Sequence, residues 1–476
     1  SFLFLGADFG DVALAANQVL LQFLHITAYA LDGFAFAVEA LVGQAMGARN
    51  RAALRRGALL SSGWGLGIGV ALALARVVPE LRVTVVETFP LSPDALPEDY
   101  QPSYDARSTA LAWGSRLIFE NLGLWQVLAE HATPIHHIHV SDRGRFGATR
   151  LHAQDHGQAA LGYVADNRWM GLSLMRALLD PPVSWQAPAE VTGMTPMPGG
   201  VCVQIRKGDD QYSLTGQCLV VADGGRSGLR EQLGFVTRTE DYGQNALIAN
   251  VSTSDAHGFT AFERFTEAGP MALLPHGSPV TAENQSALVW TLTDSALEQI
   301  LALTDDQRCQ ALQERFGWRL GRFTRIGECH HYPLKLTTVD EAVRPGVALV
   351  GNAAHALHPV AGQGFNLALR GLMTLVEQFR RAVDEGTPLG DLSILGEYQR
   401  LHRQDWQQTV QFSDSLIRVF GQSLPPLAAA RDAGLVGLDL VPGAKRWFAR
   451  KAMGTGGRKP FVSRADCSKE HARHDQ

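Results

Sequence analysis

"VGNAAHALHPVAGQGFNLALRG", Val350–Gly371, decides how the rest of the chain is read. An apolar run ends in Gly351-Asn352, Pro359 interrupts it, and Gly362, Gln363, Gly364 and Asn366 lead into a helix that starts near Phe365. Such a helix start aims free backbone N–H groups and the positive end of the helix dipole at an anion or an electron-rich ring edge. Glycines there let a flat ligand approach the backbone. A bare strand-to-helix turn would not need Pro359, Gly362, Gln363, Gly364 and Asn366 together.

Working outward, "LRVTVVE", Leu81–Glu87, is a short branched run ending in an acid, the pattern of a buried parallel strand. "CLVVADGG", Cys218–Gly225, and "VALVGNAAH", Val347–His355, are further apolar strands running into glycine turns. Gly199–Gly216 alternates around a Gly-Asp-Asp turn and predicts a hairpin. Residues 245–340 hold alternating runs such as "NALIANV" and "SALVWTL", which predict an antiparallel sheet. From Phe365 onward the periodicity is helical, and the last twenty residues form a polar, frayed tail.

A chain of 476 residues predicts two or three packed units at roughly 150 residues each. With 46% hydrophobic and 19% charged residues and a net charge of -5, it suits a globular enzyme and not a nucleic-acid binder. Cys202, Cys218, Cys309, Cys329 and Cys467 are scattered without zinc spacing, which predicts free thiols. His136-His137 and His330-His331 are adjacent pairs, whose side chains point apart on a strand.

The first 75 residues differ in kind. Val12–Val42 is almost wholly apolar but carries Asp32 and Glu39; the basic run "ARNRAALRR", Ala48–Arg56, follows. Gly57–Ala75 is free of charge and near the roughly 20 residues that cross a bilayer as a helix. No cleavable signal pattern stands at the start. "DVALAANQVLLQFL" and "ALDGFAFAVEALVGQAMGARNRAALRR" resemble helices of a multidrug and toxin extrusion type transporter, up to about residue 70.

The Val350–Gly371 stretch resembles the second flavin motif of group A flavoprotein monooxygenases. Asn352, where most members carry Asp, resembles the polyprenyl-phenol hydroxylases of ubiquinone biosynthesis. The likeness continues in order through "YDARSTALAWGSRLIFENLGLW" from Tyr104, "HVSDRGRFG", "ALGYVADN", "CLVVADGGRSGLREQLG", "AFERFTEAGPMALLP" and "YPLKL".

The resemblance implies an α/β FAD/NAD(P)-binding Rossmann-like domain with an antiparallel-sheet substrate domain, preceded by apolar N-terminal helices and followed by C-terminal helices. The implied bounds are 1–62 transporter-like and helical, 63–238 FAD-binding, 239–338 substrate-binding, 339–385 FAD-binding again, 386–455 C-terminal helices and 456–476 a flexible tail. Arg107 would lie along the ribityl and diphosphate of FAD, Asp223 and Gly224 would serve flavin and nicotinamide nucleotide, and Glu87 would hold the adenosine ribose. Gly351, Asn352, Pro359, Gly362, Gln363, Gly364 and Asn366 would surround the flavin. His358 and Gln363 stand nearest the ring as catalytic candidates, and Phe262, Phe265, Met271 and Pro275 belong to the strand over the substrate.

By the same resemblance the chain is an oxidoreductase using NADPH or NADH and O2 on a prenylated methoxyphenol. It would work in a bacterial cytoplasm at the inner membrane, beside other ubiquinone-biosynthesis proteins. Ser415–Gly454, with Arg446, Arg450 and Lys451, is a cationic amphipathic stretch suited to a membrane surface. A hydroxylase of another phenol or ring position, and a membrane-associated fusion with impaired flavin binding and no activity, remain the alternatives.

One departure stands out. Counted back from the helix "ALALARV", Ala71–Val77, the family's GxGxxG positions hold Ser62, Trp64 and Gly67. A transporter-like fragment therefore stands where the family has its first strand and phosphate turn.

Overall fold

The structure is a computed structural model that describes residues 2–7, 20–23, 61–88, 96, 100, 103, 104, 106–142, 148–179, 183–224, 228–266, 269–277, 283–356, 363–421 and 442–456. Its central sheet runs in the order Leu20–Phe23, Leu81–Glu87, Phe2–Ala7, Cys218–Val221, Val347–Leu349, Val343–Arg344, with Val183–Gln186 also paired to Leu81–Glu87. Pairing is parallel between Cys218–Val221 and Val347–Leu349 and between Leu81–Glu87 and Val183–Gln186.

These strands are short apolar runs because both sheet faces are covered. Val83, Val85, Val220 and Ala348 point to a helical layer, whereas Val86, Leu219, Val221 and Leu349 meet Val191, Val201, Val203 and Ile205 of a three-stranded meander, Glu190–Gly216. The period of two thus divides each strand between two cores.

The helical layer contains Ser61–Val77, Asn167–Ala177 and Gln363–Glu385. The described part of the charge-free stretch, Ser61–Ala75, belongs to the first of these. Residues Ile68 and Val70–Leu74 are 0% exposed and packed in the core. Among the described residues no helix is long and apolar enough to cross a membrane. A helix buried on all sides carries the same hydropathy as a membrane span, so the sequence alone does not separate them. Helix Gln363–Glu385 lies alongside: a Cβ at Gly69 would stand 3.7 Å from Leu372 Cδ1, an ordinary van der Waals contact.

The helix starts at Ser61, so Ser62, Trp64 and Gly67 lie within it and not in a turn ahead of Ala71. Before it, the described residues form two strands, Phe2–Ala7 and Leu20–Phe23, where helices were expected. Phe2–Ala7 fills the slot between Leu81–Glu87 and Cys218–Val221, but antiparallel to both: Phe2 opposes Val86 and Val221, and Ala7 opposes Leu81. In a dinucleotide-binding sheet the strand in this place runs parallel to its neighbours.

The expected antiparallel sheet is present, in the order His355–Ala356, His330–Val339, Thr237–Thr253, Gln285–Thr293, Gly269–His276, Thr260–Thr266, His137–Asp142, Ala148–His152. One pair in it, Thr260–Thr266 with His137–Asp142, is parallel. Helices Asp294–Ala302 and Asp305–Phe316 cover one face; Thr293 caps the first, and Thr304 with Gln307 forms a capping box on the second. The opposite face packs on a small sheet of Ser108–Ala112, Gly162–Asp166 and Ala132–Ile135, through Val164, Ile135 and Ala261.

At the C-terminal end, Leu392–Gly421 is tied to Gln363–Glu385 by a two-pronged Arg370–Asp405 ion pair at 2.7 and 3.1 Å. Helix Pro442–Ala452 docks Ala449, with Met453 just beyond it, against Trp113, Leu151 and Leu161. The apolar side of the described end of that cationic stretch, Pro442–Ala452, is therefore occupied by the protein's own core. Arg446 and Arg450 stay exposed.

Candidate active site

Leu81–Glu87 and Cys218–Val221 are both antiparallel to Phe2–Ala7, hence parallel to each other, and Val347–Leu349 is parallel to the latter. Their carboxyl ends therefore share one rim, where a cofactor binds in an open α/β sheet. That rim carries Glu87, Asp223-Gly224 and Gly351-Asn352. Glu87 is fully buried and Asp223 nearly so. Gly224 has φ +73° and Gly351 φ +58°, turns that a side chain would strain. A Cβ at Gly224 or Gly364 would meet no described residue within 4 Å, room that a ligand beside the backbone needs.

Helix Gln363–Glu385 begins beside this rim, with Gln363 and Asn366 buried. Asn366 makes three hydrogen bonds inside the protein. Its Oδ1 accepts from Ala112 N at 2.8 Å and Ser115 Oγ at 2.7 Å, and its Nδ2 donates to Ala110 O at 2.9 Å. It therefore clamps the helix to the strand Ser108–Ala112. His358, Pro359 and Gly362 lie outside the described residues.

Arg107 approaches from the other side. Its Nη1 donates to Tyr332 Oη at 2.6 Å, while Nη2 is buried with no hydrogen-bond partner among the described residues. Burial lowers its pKa, yet a guanidinium keeps its charge at any working pH. A buried cationic donor lacking an acceptor fits a phosphate or ribityl oxygen. Arg107, Glu87 and the open glycines fit FAD; a glycine turn for the diphosphate does not occur among the described residues at positions 61–77, which are helical.

The substrate strand divides by parity. Phe262 and Met271 join the helix-covered core with Phe316 and Trp290, and Pro275, in step with Met271, is on that face too. Phe265 is on the opposite face, packed with Val140. That opposite face is the one turned to the cofactor side. Tyr332, opposite Ala246, holds Arg107; Asn250 Nδ2 donates to Tyr104 O and Ala106 O; His276 Nε2 and Ser108 Oγ are 3.1 Å apart.

Register identifies the residues that sequence reasoning missed. One cross-strand row reads His330, Ile248, Val289, Ala272, Glu263, Val140. All but Val140 are half-buried, unlike the closed helix-side core. Alternation in "AFERFT" signals two sets, and the set containing Glu263 faces the site. Burial pushes the Glu263 carboxyl up to about 7 and the His276 imidazole down to about 4, the latter helped by His257.

Comparison with known proteins agrees with this geometry. The family described as FAD binding domain matches residues 96–413, and the MatE family matches residues 1–82. Ubiquinone hydroxylase UbiL of Rhodospirillum rubrum is 35% identical over 83% of this chain and 89% of its own length. The 3-demethoxyubiquinol 3-hydroxylase of Escherichia coli is 27% identical, over 81% of this chain and 96% of its own. Among solved structures, p-nitrophenol 4-monooxygenase PnpA from Pseudomonas putida has a TM-score of 0.66 at 17% identity, covering 83% of this chain and 96% of that one. At such identity the last likeness speaks for the fold alone. Sequence likeness, a shared rim of strand ends and an aromatic-hydroxylase architecture converge: the chain belongs to the FAD-binding family of flavoprotein monooxygenases that includes these ubiquinone hydroxylases.

Proposed function

We propose that this chain hydroxylates the phenolic ring of a polyprenyl-methoxyphenol precursor of ubiquinone, with FAD, NADPH or NADH, and O2. The observation that carries it is the half-buried row Ile248, Val289, Ala272, Glu263 on the sheet face that also holds Arg107 through Tyr332. Bound at the rim, FAD supplies the redox chemistry that places one oxygen atom of O2 on the ring. The protein's residues position and desolvate. Arg107 would meet the ribityl and diphosphate oxygens, Glu87 the ribose, and the backbone at Gln363-Gly364 the electron-rich ring edge. Ile248, Val289 and Ala272 would hold the phenol and exclude water.

A prenylated substrate places the working enzyme at a membrane surface. The exposed Arg446 and Arg450, with Lys451, border an open groove beside Trp113 and Leu117, which supports contact with anionic headgroups. The test of function is genetic and chemical: candidate precursors are supplied to a strain lacking its own hydroxylase and carrying this chain. Disappearance of the methoxyphenol supports the reading; its accumulation while another phenol is consumed overturns it.

Ala272→Phe is expected to weaken phenol binding roughly tenfold or more while leaving flavin occupancy unchanged, because an added ring fills the row. The check is a phenol titration followed by flavin absorbance. Met271→Leu, on the helix side, should leave that titration unmoved.

A further inference from the structure

We infer that Glu263 is a catalytic residue of the hydroxylation, its carboxylate taking the phenolic proton of the substrate. This rests on the function proposed above. Glu263 lies in Thr260–Thr266, opposite Ala272 on one side and Val140 on the other, with Ala261 and Phe265 two residues away on the same face. It is the one acid in a row whose nearer members, Val289, Ala272 and Val140, are apolar.

Its carboxyl makes no hydrogen bond or ion pair with any described residue; only burial acts on it. A strand selected for packing alone would carry Val or Leu at such a place, because an unpaired buried carboxyl costs stability. A desolvated acid in a half-open site is what proton transfer near neutral pH requires. The helix-side neighbours Phe262 and Arg264 point away, so Glu263 alone on this strand brings an ionisable group to the substrate face.

The proton bookkeeping closes. The phenol O–H bond breaks, an O–H bond forms on Glu263, and the oxygen's electron pair enters the ring as a ring carbon bonds to one oxygen atom of O2, whose O–O bond breaks while the other oxygen leaves as water on the two electrons that NADPH or NADH supplies. When that carbon loses its own hydrogen as a proton to solvent, the pair returns and the phenol oxygen takes its proton back from Glu263. The side chain ends as it began. Other titratable groups on this face are His330 in the same row, Tyr332 and Asp142 in the next, and His276 two positions farther along its strand from Leu274. Across from the face, Asp166 is engaged by Tyr100 and by the N–H of Arg168.

The experiment compares the full chain with Glu263→Gln and Glu263→Asp at saturating FAD. A short-chain prenyl methoxyphenol is titrated without reductant, read by the change in flavin absorbance, and turnover is then followed from pH 5 to 9. Expected are phenol affinities within about threefold of each other, a rate about 10²-fold lower for Gln, loss of the acidic limb near neutrality in Gln, and its partial return in Asp. Retention of both rate and acidic limb by Glu263→Gln, with normal phenol uptake, overturns the role of Glu263 alone. A wild-type chain that takes up neither FAD nor phenol overturns the functional reading, and this role with it.

Discussion

Exchange of Arg107 for Met is expected to raise the dissociation constant for FAD by about 10- to 100-fold, since a charge-assisted hydrogen bond contributes about 1.5–3 kcal/mol. The guanidinium already spends one arm on Tyr332 and leaves Nη2 buried without an acceptor among the described residues. Among the described residues that nitrogen's N–H groups meet no acceptor, which leaves them available to a phosphate or ribityl oxygen. Met keeps the buried aliphatic shaft and removes the charge together with its donors, so the fold should persist. Quenching of flavin fluorescence during titration gives the constant directly. Tyr332→Phe is the companion measurement: it removes the support and spares the charge, and its effect should be the smaller one. Equal FAD affinity in the wild type and the Met variant would detach Arg107 from the cofactor.

Asn366→Ala should lower the free energy of unfolding by about 2–6 kcal/mol, because two buried groups lose their partner at about 1–3 kcal/mol each and the part-buried carbonyl of Ala110 adds less. Ala112 N, Ser115 Oγ and Ala110 O all depend on this one amide. Asn366→Asp separates the contributions: the acceptor side survives, while the former Nδ2 position now faces the carbonyl of Ala110. Urea denaturation reads both variants. The family resemblance places Asn366 among cofactor contacts, whereas its hydrogen bonds make it a clamp between helix Gln363–Glu385 and the strand that follows Arg107. Normal stability with lost flavin would return it to the direct-contact role.

The cofactor rim was legible in the sequence because short branched runs such as Leu81–Glu87 and Cys218–Val221 have few alternatives to a buried parallel strand, and their last residues mark one edge. The substrate side was legible only in part. Alternation separates Phe262 from Phe265, but it does not say which set turns toward the cofactor; that depends on helices Asp294–Ala302 and Asp305–Phe316 having covered the other face. Glu263 was hidden for the same reason. Hydropathy left Gly57–Ala75 open between a bilayer span and a buried helix, and the described residues around Val70 are enclosed by neighbouring helices. The direction of Phe2–Ala7 was beyond any local signal, since a short apolar strand pairs acceptably either way round.

That backward strand separates two tasks normally performed by one segment. Plugging a gap in a sheet asks only for apolar side chains and a matching ladder of amides, and "FLFLGA" supplies both whatever its ancestry. Delivering the polypeptide to the phosphate-binding edge asks for the opposite polarity, because the exit of Phe2–Ala7 lies beside Leu81, at the far end from Glu87. A graft can thus inherit the scaffold's solidity without inheriting its grip on the nucleotide.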